Sequence, residues 1–235
     1  MMSPQTTTLK SGLLYWLCEG RGGEDDLTPL SPDERAFHAA LRTAKRRDDW
    51  LLGRRVAKRL VRAALAARLG SAPPLHEIVI LPHPDGWPQV SLATLGAAAP
   101  PLTLSISHSH DRAFCALAFA DVPLGCDLEL VEPRSPGFVA DYFTAAEREL
   151  MAAAPPDQQA TLANAIWSGK EAALKAIRRG LAEDTRLVTC LPDMDAAGDG
   201  WRPLHYHCTA SGRARPPLPG RGRAADGSVM TLAAP

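Results

Sequence analysis

Leu102-Thr-Leu-Ser-Ile-Ser-His-Ser109 leads through His110-Asp111 into Arg112-Ala-Phe-Cys-Ala-Leu-Ala-Phe119, and a short link then opens Leu124-Gly-Cys-Asp-Leu-Glu-Leu-Val131. In the first run Leu102, Leu104 and Ile106 share one face, and Thr103, Ser105 and Ser107 share the other. The second run, from Ala113, is apolar on both faces, as in a central strand. The third alternates again, with Cys126 out of pattern. A period of two marks strands, and tight connections between them predict an antiparallel meander.

Upstream, Leu13–Cys18 reads as a buried strand, and Ser31-Pro-Asp-Glu34 as a helix start with a serine cap, proline in the first turn and a glutamate reaching back. Asp48 or Asp49 is read as opening a longer helix to about Leu69, stopped by Gly70. Ile78–Leu81 is a short strand before the turn-rich stretch Pro82–Pro88. Downstream, Thr144 begins one helix with Glu147 as its capping partner, and a second runs from about Gln158 to Arg179, with Gly180 as its stop. Arg186–Cys190, Leu204–Thr209 and Ser228–Ala233 read as strands, whereas Ser211–Gly227, rich in Gly, Pro and Arg, reads as a mobile loop.

The chain has 235 residues, with 26 Lys plus Arg against 26 Asp plus Glu, so no whole-molecule field points to nucleic acid or a membrane surface. No apolar run reaches the roughly 18 residues of a spanning helix, and Met1–Lys10 lacks the pattern of a signal peptide. The five cysteines (18, 115, 126, 190, 208) form no Cys-x-x-Cys, which argues against a disulfide scaffold or a cysteine zinc site and for the cytoplasm. Charge is nevertheless sorted locally. Arg42–Arg62 holds nine basic residues against two acids, and Asp121–Glu149 holds seven acids against two arginines. These are either solvated faces that attract each other or a site that holds a polyanion with one segment and a metal with the other.

Three segments carry chemistry. In Gly125-Cys-Asp-Leu-Glu129, strand periodicity turns Asp127 and Glu129 to one side and Leu128 to the core. Two carboxylates about 4 Å apart repel by about 4 kcal/mol at an effective dielectric near 20. A hard divalent cation compensates that repulsion, Mg2+ rather than zinc for all-oxygen ligands; two solvated surface acids are the alternative. In Trp167-Ser-Gly-Lys-Glu-Ala-Ala-Leu-Lys175, Glu171 and Lys175 are one helical turn apart. They form either an i,i+4 ion pair, with Trp167 as ordinary packing, or a third carboxylate or base beside a phosphate-facing lysine. Ser105-Ile-Ser-His-Ser109 ends a strand with a hydroxyl and an imidazole suited to phosphate; neighbours on a strand face opposite ways, which argues against a Ser-His nucleophile pair. The His-x-His pairs 108/110 and 205/207 have no third ligand at motif spacing, and the second pair is read as strand surface.

Taken together and in this order, Ser107-His108, Gly125/Asp127/Glu129 and Trp167-Ser168-Gly169-Lys170-Glu171 with Lys175 resemble the Sfp-type 4'-phosphopantetheinyl transferases. Leu51-Leu52-Gly53-Arg54 and Phe143-Thr-Ala-Ala-Glu147 add to the likeness, which covers roughly residues 45–182. The resemblance implies an α+β fold of two similar subdomains related by a pseudo-twofold axis, residues 1–120 and 121–235, with coenzyme A in the cleft between them. It implies transfer of 4'-phosphopantetheine from coenzyme A to a serine of an apo acyl or peptidyl carrier protein, by an enzyme of the holo-[acyl-carrier-protein] synthase type acting in secondary metabolism as a monomer. An inactive coenzyme A- or carrier-binding relative is the alternative. Carried onto this chain, Asp127, Glu129 and Glu171 are the Mg2+ ligands, and Glu171 is also a candidate base. Lys175 neutralises a phosphate, and Arg47, Arg54, Ser107 and His108 hold the 3'-phosphate and adenosine end. Two departures stand out: Gly86-Trp87-Pro88 lacks the family's basic residue before the Ser-His strand, and Arg179-Gly180-Leu181 lacks one glycine of Gly-x-Gly-Leu.

Overall fold

Ser31 and Thr43 start the two helices of the first half. The computed structural model describes residues 3–9, 12–20, 26–178, 184–192, 200–208 and 218–234. Helix α1 (Pro32–Ala40) begins with the capping box read from the sequence: Ser31 Oγ accepts from the Glu34 amide, and Glu34 accepts from the Ser31 amide at 2.8 Å. Helix α2 (Ala44–Leu69) starts earlier than Asp48, because Thr43 Oγ1 takes the Arg46 amide and caps it; Asp49 lies inside the helix, paired with Lys45. Gly70, at φ 78°, ends it.

The chain divides into two compact units, Met1–Val122 and Pro123–Pro235. In the first, β1 (Gln5–Leu9), β2 (Gly12–Gly20), β5 (Thr103–Ser109) and β6 (Arg112–Ala118) form an antiparallel sheet in the order β1-β2-β6-β5. The strands β3 (Val79–Pro82) and β4 (Pro88–Ser91) make a separate hairpin. One face of α2 packs over β2, β5 and β6, burying Val56, Ala57, Leu60, Val61 and Ala64 with Leu104, Cys115 and Leu117.

Strand β7 (Gly125–Leu130) does not complete the expected meander. One edge of β6 is held by β5 and the other by β2, so no edge remains for it, and β7 pairs instead with β11 (Ser228–Ala233) in the second unit. There the antiparallel order is β7-β11-β10-β9-β8, with β8 at Val188–Pro192, β9 at Arg202–Cys208 and β10 at Leu218–Ala225. Strand β10 overturns the loop reading over residues 218–225; residues 211–217 lie outside the described residues. Gly220 misled the composition argument. A methyl group there would strike the Tyr206 ring and the Leu232 carbonyl, so this glycine permits close packing inside a strand.

Helices α3 (Pro136–Tyr142) and α4 (Ala145–Ala153) precede α5 (Pro156–Ala176), which lies across β7, β8 and β11. Thr144 and Glu147 form the anticipated capping box of α4. The expected stop at Gly180 falls outside the described residues; within them α5 ends at Ala176, with Arg178 at φ 58°. All five cysteines are buried and stand outside any disulfide. Among the described residues no helix is long and apolar enough to cross a membrane.

Candidate metal centre

The start of β7 touches the backbone of α5. A methyl group on Gly125 would collide with the Ala172 carbonyl, so only glycine lets strand and helix come this close. That contact sets the acids of β7 against the last turns of α5. Asp127, Glu129 and Glu171 each offer a carboxylate oxygen, and these atoms lie within 4.8 Å of one another. Asp127 is buried, Glu129 and Glu171 half-buried, and Leu128 points into the core between the two strand acids.

Their environment makes this concentration of charge costly. Burial, then the charge of Asp127, push the Glu171 carboxyl up to about 8, with Lys175 pulling the other way and Glu129 adding to the rise. Glu129 is also raised, by burial and by Asp127, against the opposing pull of Arg134. Lys175 lies closer to Asp127 than to its helical neighbour: Nζ donates to Asp127 Oδ1 at 2.6 Å and to the Cys126 carbonyl at 3.2 Å, whereas Glu171 is 3.9 Å away. Burial lowers the affinity of its amine for a proton, but Asp127 and Glu171 outweigh that and hold the ammonium above its usual range. When all three carboxylates are ionised, they outnumber the two side-chain cations bonded to them, Lys175 and Arg134. The donor set is all oxygen, so it fits a hard divalent cation such as Mg2+.

Trp167 is more than helix packing: its indole Nε1 donates to Glu129 Oε1 at 3.1 Å. The sequence reading missed Arg134, whose Nη2 donates to Glu129 Oε2 at 3.0 Å. A lone arginine just after an acidic strand was the available signal, and it carried no periodicity to mark it.

The other residues expected at the site lie in the first unit. Ser107 is buried and His108 exposed, so the two do face opposite ways. A methyl group on Gly53 would sit 3.2 Å from Ile106 Cγ2 and 3.9 Å from His108 Cδ2, so His108 lies against α2. Arg47 is half-buried, with Nη1 on the Leu41 carbonyl at 2.8 Å. Arg54 is buried, with Nε on the Ile80 carbonyl at 2.8 Å and its guanidinium 4.5 Å from the Trp50 ring; burial lowers its pKa to about 10, which leaves it charged at neutral pH. Trp87, which stands where the family has a basic residue, stacks on His83 with ring centres 3.8 Å apart. His205 and His207 lie exposed on β9.

A helix laid on an antiparallel sheet, with three carboxylates gathered where strand and helix touch, defines an α+β protein with a candidate cation site. A family model described as the 4'-phosphopantetheinyl transferase superfamily matches residues 123–204, the segment that contains all three acids. The chain is 35% identical to 4'-phosphopantetheinyl transferase AcpT of Escherichia coli O157:H7, over 69% of this chain and 72% of that one. It therefore belongs to the 4'-phosphopantetheinyl transferase family. It is 28% identical to 4'-phosphopantetheinyl transferase HetI of Nostoc sp. (strain PCC 7120), over 45% of this chain and 56% of the relative, and so spans about half of that protein's length. A solved ACPS–CoA complex from Chronobacterium ammoniagenes aligns with 45% of this chain and 96% of that one, at 27% identity and a TM-score of 0.36.

Proposed function

We propose that this protein transfers the 4'-phosphopantetheine group of coenzyme A to a serine hydroxyl of an apo acyl or peptidyl carrier protein, with Mg2+, and releases adenosine 3',5'-bisphosphate. The observation that carries the reading is the convergence of Asp127, Glu129 and Glu171 within 4.8 Å, in a member of this family. These three would hold the ion. When bound, it supplies positive charge beside the pyrophosphate and offsets the charge that grows on the leaving phosphate. Lys175, kept protonated by Asp127 and Glu171, adds a permanent cation on the same side.

The serine oxygen bonds to the phosphorus nearest pantetheine while the bond from that phosphorus to the departing bisphosphate breaks. The serine proton passes to Glu171, whose raised affinity for a proton suits a general base. A neighbouring cation favours the ionised carboxylate that must accept it. Glu171 thus serves as ligand and base. Ser107, His108 and Arg47 hold the 3'-phosphate and adenosine end, and Arg54 adds positive field from its buried position. The proximity of His108 to α2 supports grouping them. Five buried cysteines outside any disulfide favour the cytoplasm as its compartment.

The test is incubation of the full chain with coenzyme A, Mg2+ and either an apo acyl or an apo peptidyl carrier protein. Mass spectrometry should show one phosphopantetheinyl group gained per carrier, matched by adenosine 3',5'-bisphosphate. No gain on either carrier class overturns the reading, as does coenzyme A cleavage without any carrier, which would mark a phosphodiesterase.

A further inference from the structure

Asn164, Trp167, Glu171 and Lys175 follow one another on α5 at intervals of three and four residues, so they form a single stripe along the helix. Glu171 belongs to the acidic cluster, Lys175 bonds Asp127, and Trp167 bonds Glu129. Asn164 reaches the cluster through an intermediary. Its Oδ1 accepts from Arg134 Nε at 2.9 Å, and Arg134 Nη2 donates to Glu129 Oε2.

The intermediary is fixed on every side. Asn164 is fully buried, and its Nδ2 donates to the Glu132 carbonyl at 2.7 Å and to the Ala160 carbonyl at 2.8 Å. Two carbonyl acceptors on the amide nitrogen leave only its oxygen to face Arg134. The guanidinium also meets Glu132 Oε1 at 3.3 Å and lies 4.9 Å from the centre of the Phe138 ring. Its side chain is only 14% exposed, unlike a loose surface pair. Because the guanidinium is planar, anchoring Nε on Asn164 sets the direction in which Nη2 points. Glu129 is thereby gripped at both oxygens, by Trp167 on one and Arg134 on the other, and its carboxylate plane cannot rotate without breaking one of them.

We propose that Arg134, braced by Asn164, is a positioning residue that fixes the Glu129 carboxylate for the cation it shares with Asp127 and Glu171. The inference rests on reading that cluster as a cation site. It also opposes a simpler expectation. By charge alone, a guanidinium beside the site repels an incoming dication, and removing it would tighten binding. A fixed partner that orients a metal ligand does the reverse, and its loss costs about 10- to 100-fold in affinity.

The experiment is titration of the chelator-treated full chain with Mn2+, followed by electron paramagnetic resonance of the free ion. Both Arg134→Gln and Arg134→Lys should weaken Mn2+ binding by about tenfold. Lysine keeps the charge but loses the fork, so a purely electrostatic role would leave Arg134→Lys like the wild type. Asn164→Ala keeps every charge and removes the brace together with its bonds to the Glu132 and Ala160 carbonyls; it should weaken Mn2+ binding in the same direction and carries the test should the arginine variants fail to fold. Unchanged or tighter binding in the Arg134→Gln or Asn164→Ala variant, or full affinity in Arg134→Lys, overturns the proposal. A wild-type chain that binds no Mn2+ overturns instead the cation reading on which it rests.

Discussion

The two units build the same internal frame and fill one corner of it with opposite chemistry. In the first, Lys58 of α2 bonds the buried Glu34 of the α1 capping box, and Glu34 also takes the amide of Ile80 on β3. In the second, Lys170 of α5 bonds the buried Glu147 of the α4 capping box, and Glu147 takes the amide of Cys190 on β8. The separations nearly match: 24 and 23 residues from glutamate to lysine, 46 and 43 from glutamate to strand amide. The residue after each lysine then differs. Arg59 follows Lys58 and pairs with Glu19 on β2; Glu171 follows Lys170 and joins the acids of β7.

Strand register makes the correspondence exact in position. Glu19 stands opposite the second residue of β6 and Glu129 opposite the second residue of β11; Leu17 and Asp127 stand opposite the fourth. So Leu17, Glu19 and Arg59 occupy in one unit the places of Asp127, Glu129 and Glu171 in the other. The first trio pairs an acid with a base, whereas the second is three acids whose cations, Lys175 and Arg134, come from outside it. Three side chains on a shared frame, rather than the frame itself, distinguish the candidate site from its counterpart.

The strongest way to break this comparison is Asp127→Ala. If the trio is the site, transfer to a carrier protein should fall by at least about 100-fold, measured by mass spectrometry, with the circular dichroism spectrum unchanged. Activity near wild type would mean that the trio is only a decorated copy of its counterpart. The next effect tests the frame. Lys58→Met and Lys170→Met each leave a buried glutamate without its lysine, and breaking a buried pair from one side costs about 3–5 kcal/mol. Urea unfolding should register a comparable loss for both, and a large loss in one with none in the other would show that the two devices are not equivalent.

The parts of this molecule that were legible in the sequence were those governed by local spacing. The alternation of Gly125–Glu129 put Asp127 and Glu129 on one side, and the Ser31 and Thr144 capping boxes formed as read. That Glu171 joins them came from a family likeness, because nothing in the helix period says which strand α5 will meet. The departure of β7 from the meander was invisible for a related reason: pairing depends on which strand edge is free, and β2 had taken it from more than ninety residues upstream. Arg134 sits in an irregular link, where period gives no direction, and Asn164 was an unremarked polar residue between the buried Leu162 and Ile166. Thr43 caps α2 although Asp48 and Asp49, also residues with cap propensity, follow within its first turns.

The last pair of effects sharpens the comparison, because they have opposite signs. Glu171 holds its proton up to about pH 8 in the folded chain without a cation, against an ordinary value of 4.5. The folded state therefore binds more protons than the unfolded one between these limits. The stabilising contribution is complete below about 4.5 and is lost as pH rises through about 8. In chelator-treated protein, Glu171→Gln should raise the melting temperature near neutral pH and flatten its decline toward alkaline pH. Arg59→Gln removes a compensating charge instead of an opposing one, from a pair that is 30% and 11% exposed. It should lower stability by about 0.2–1 kcal/mol and leave the pH profile as it was. Mn2+ should then restore the wild type most at alkaline pH and do nothing for Glu171→Gln. Two losses of the same sign, or a wild-type profile that does not fall with pH, would show that the three acids are solvated enough to stand together without a cation, as Glu19 stands with Arg59.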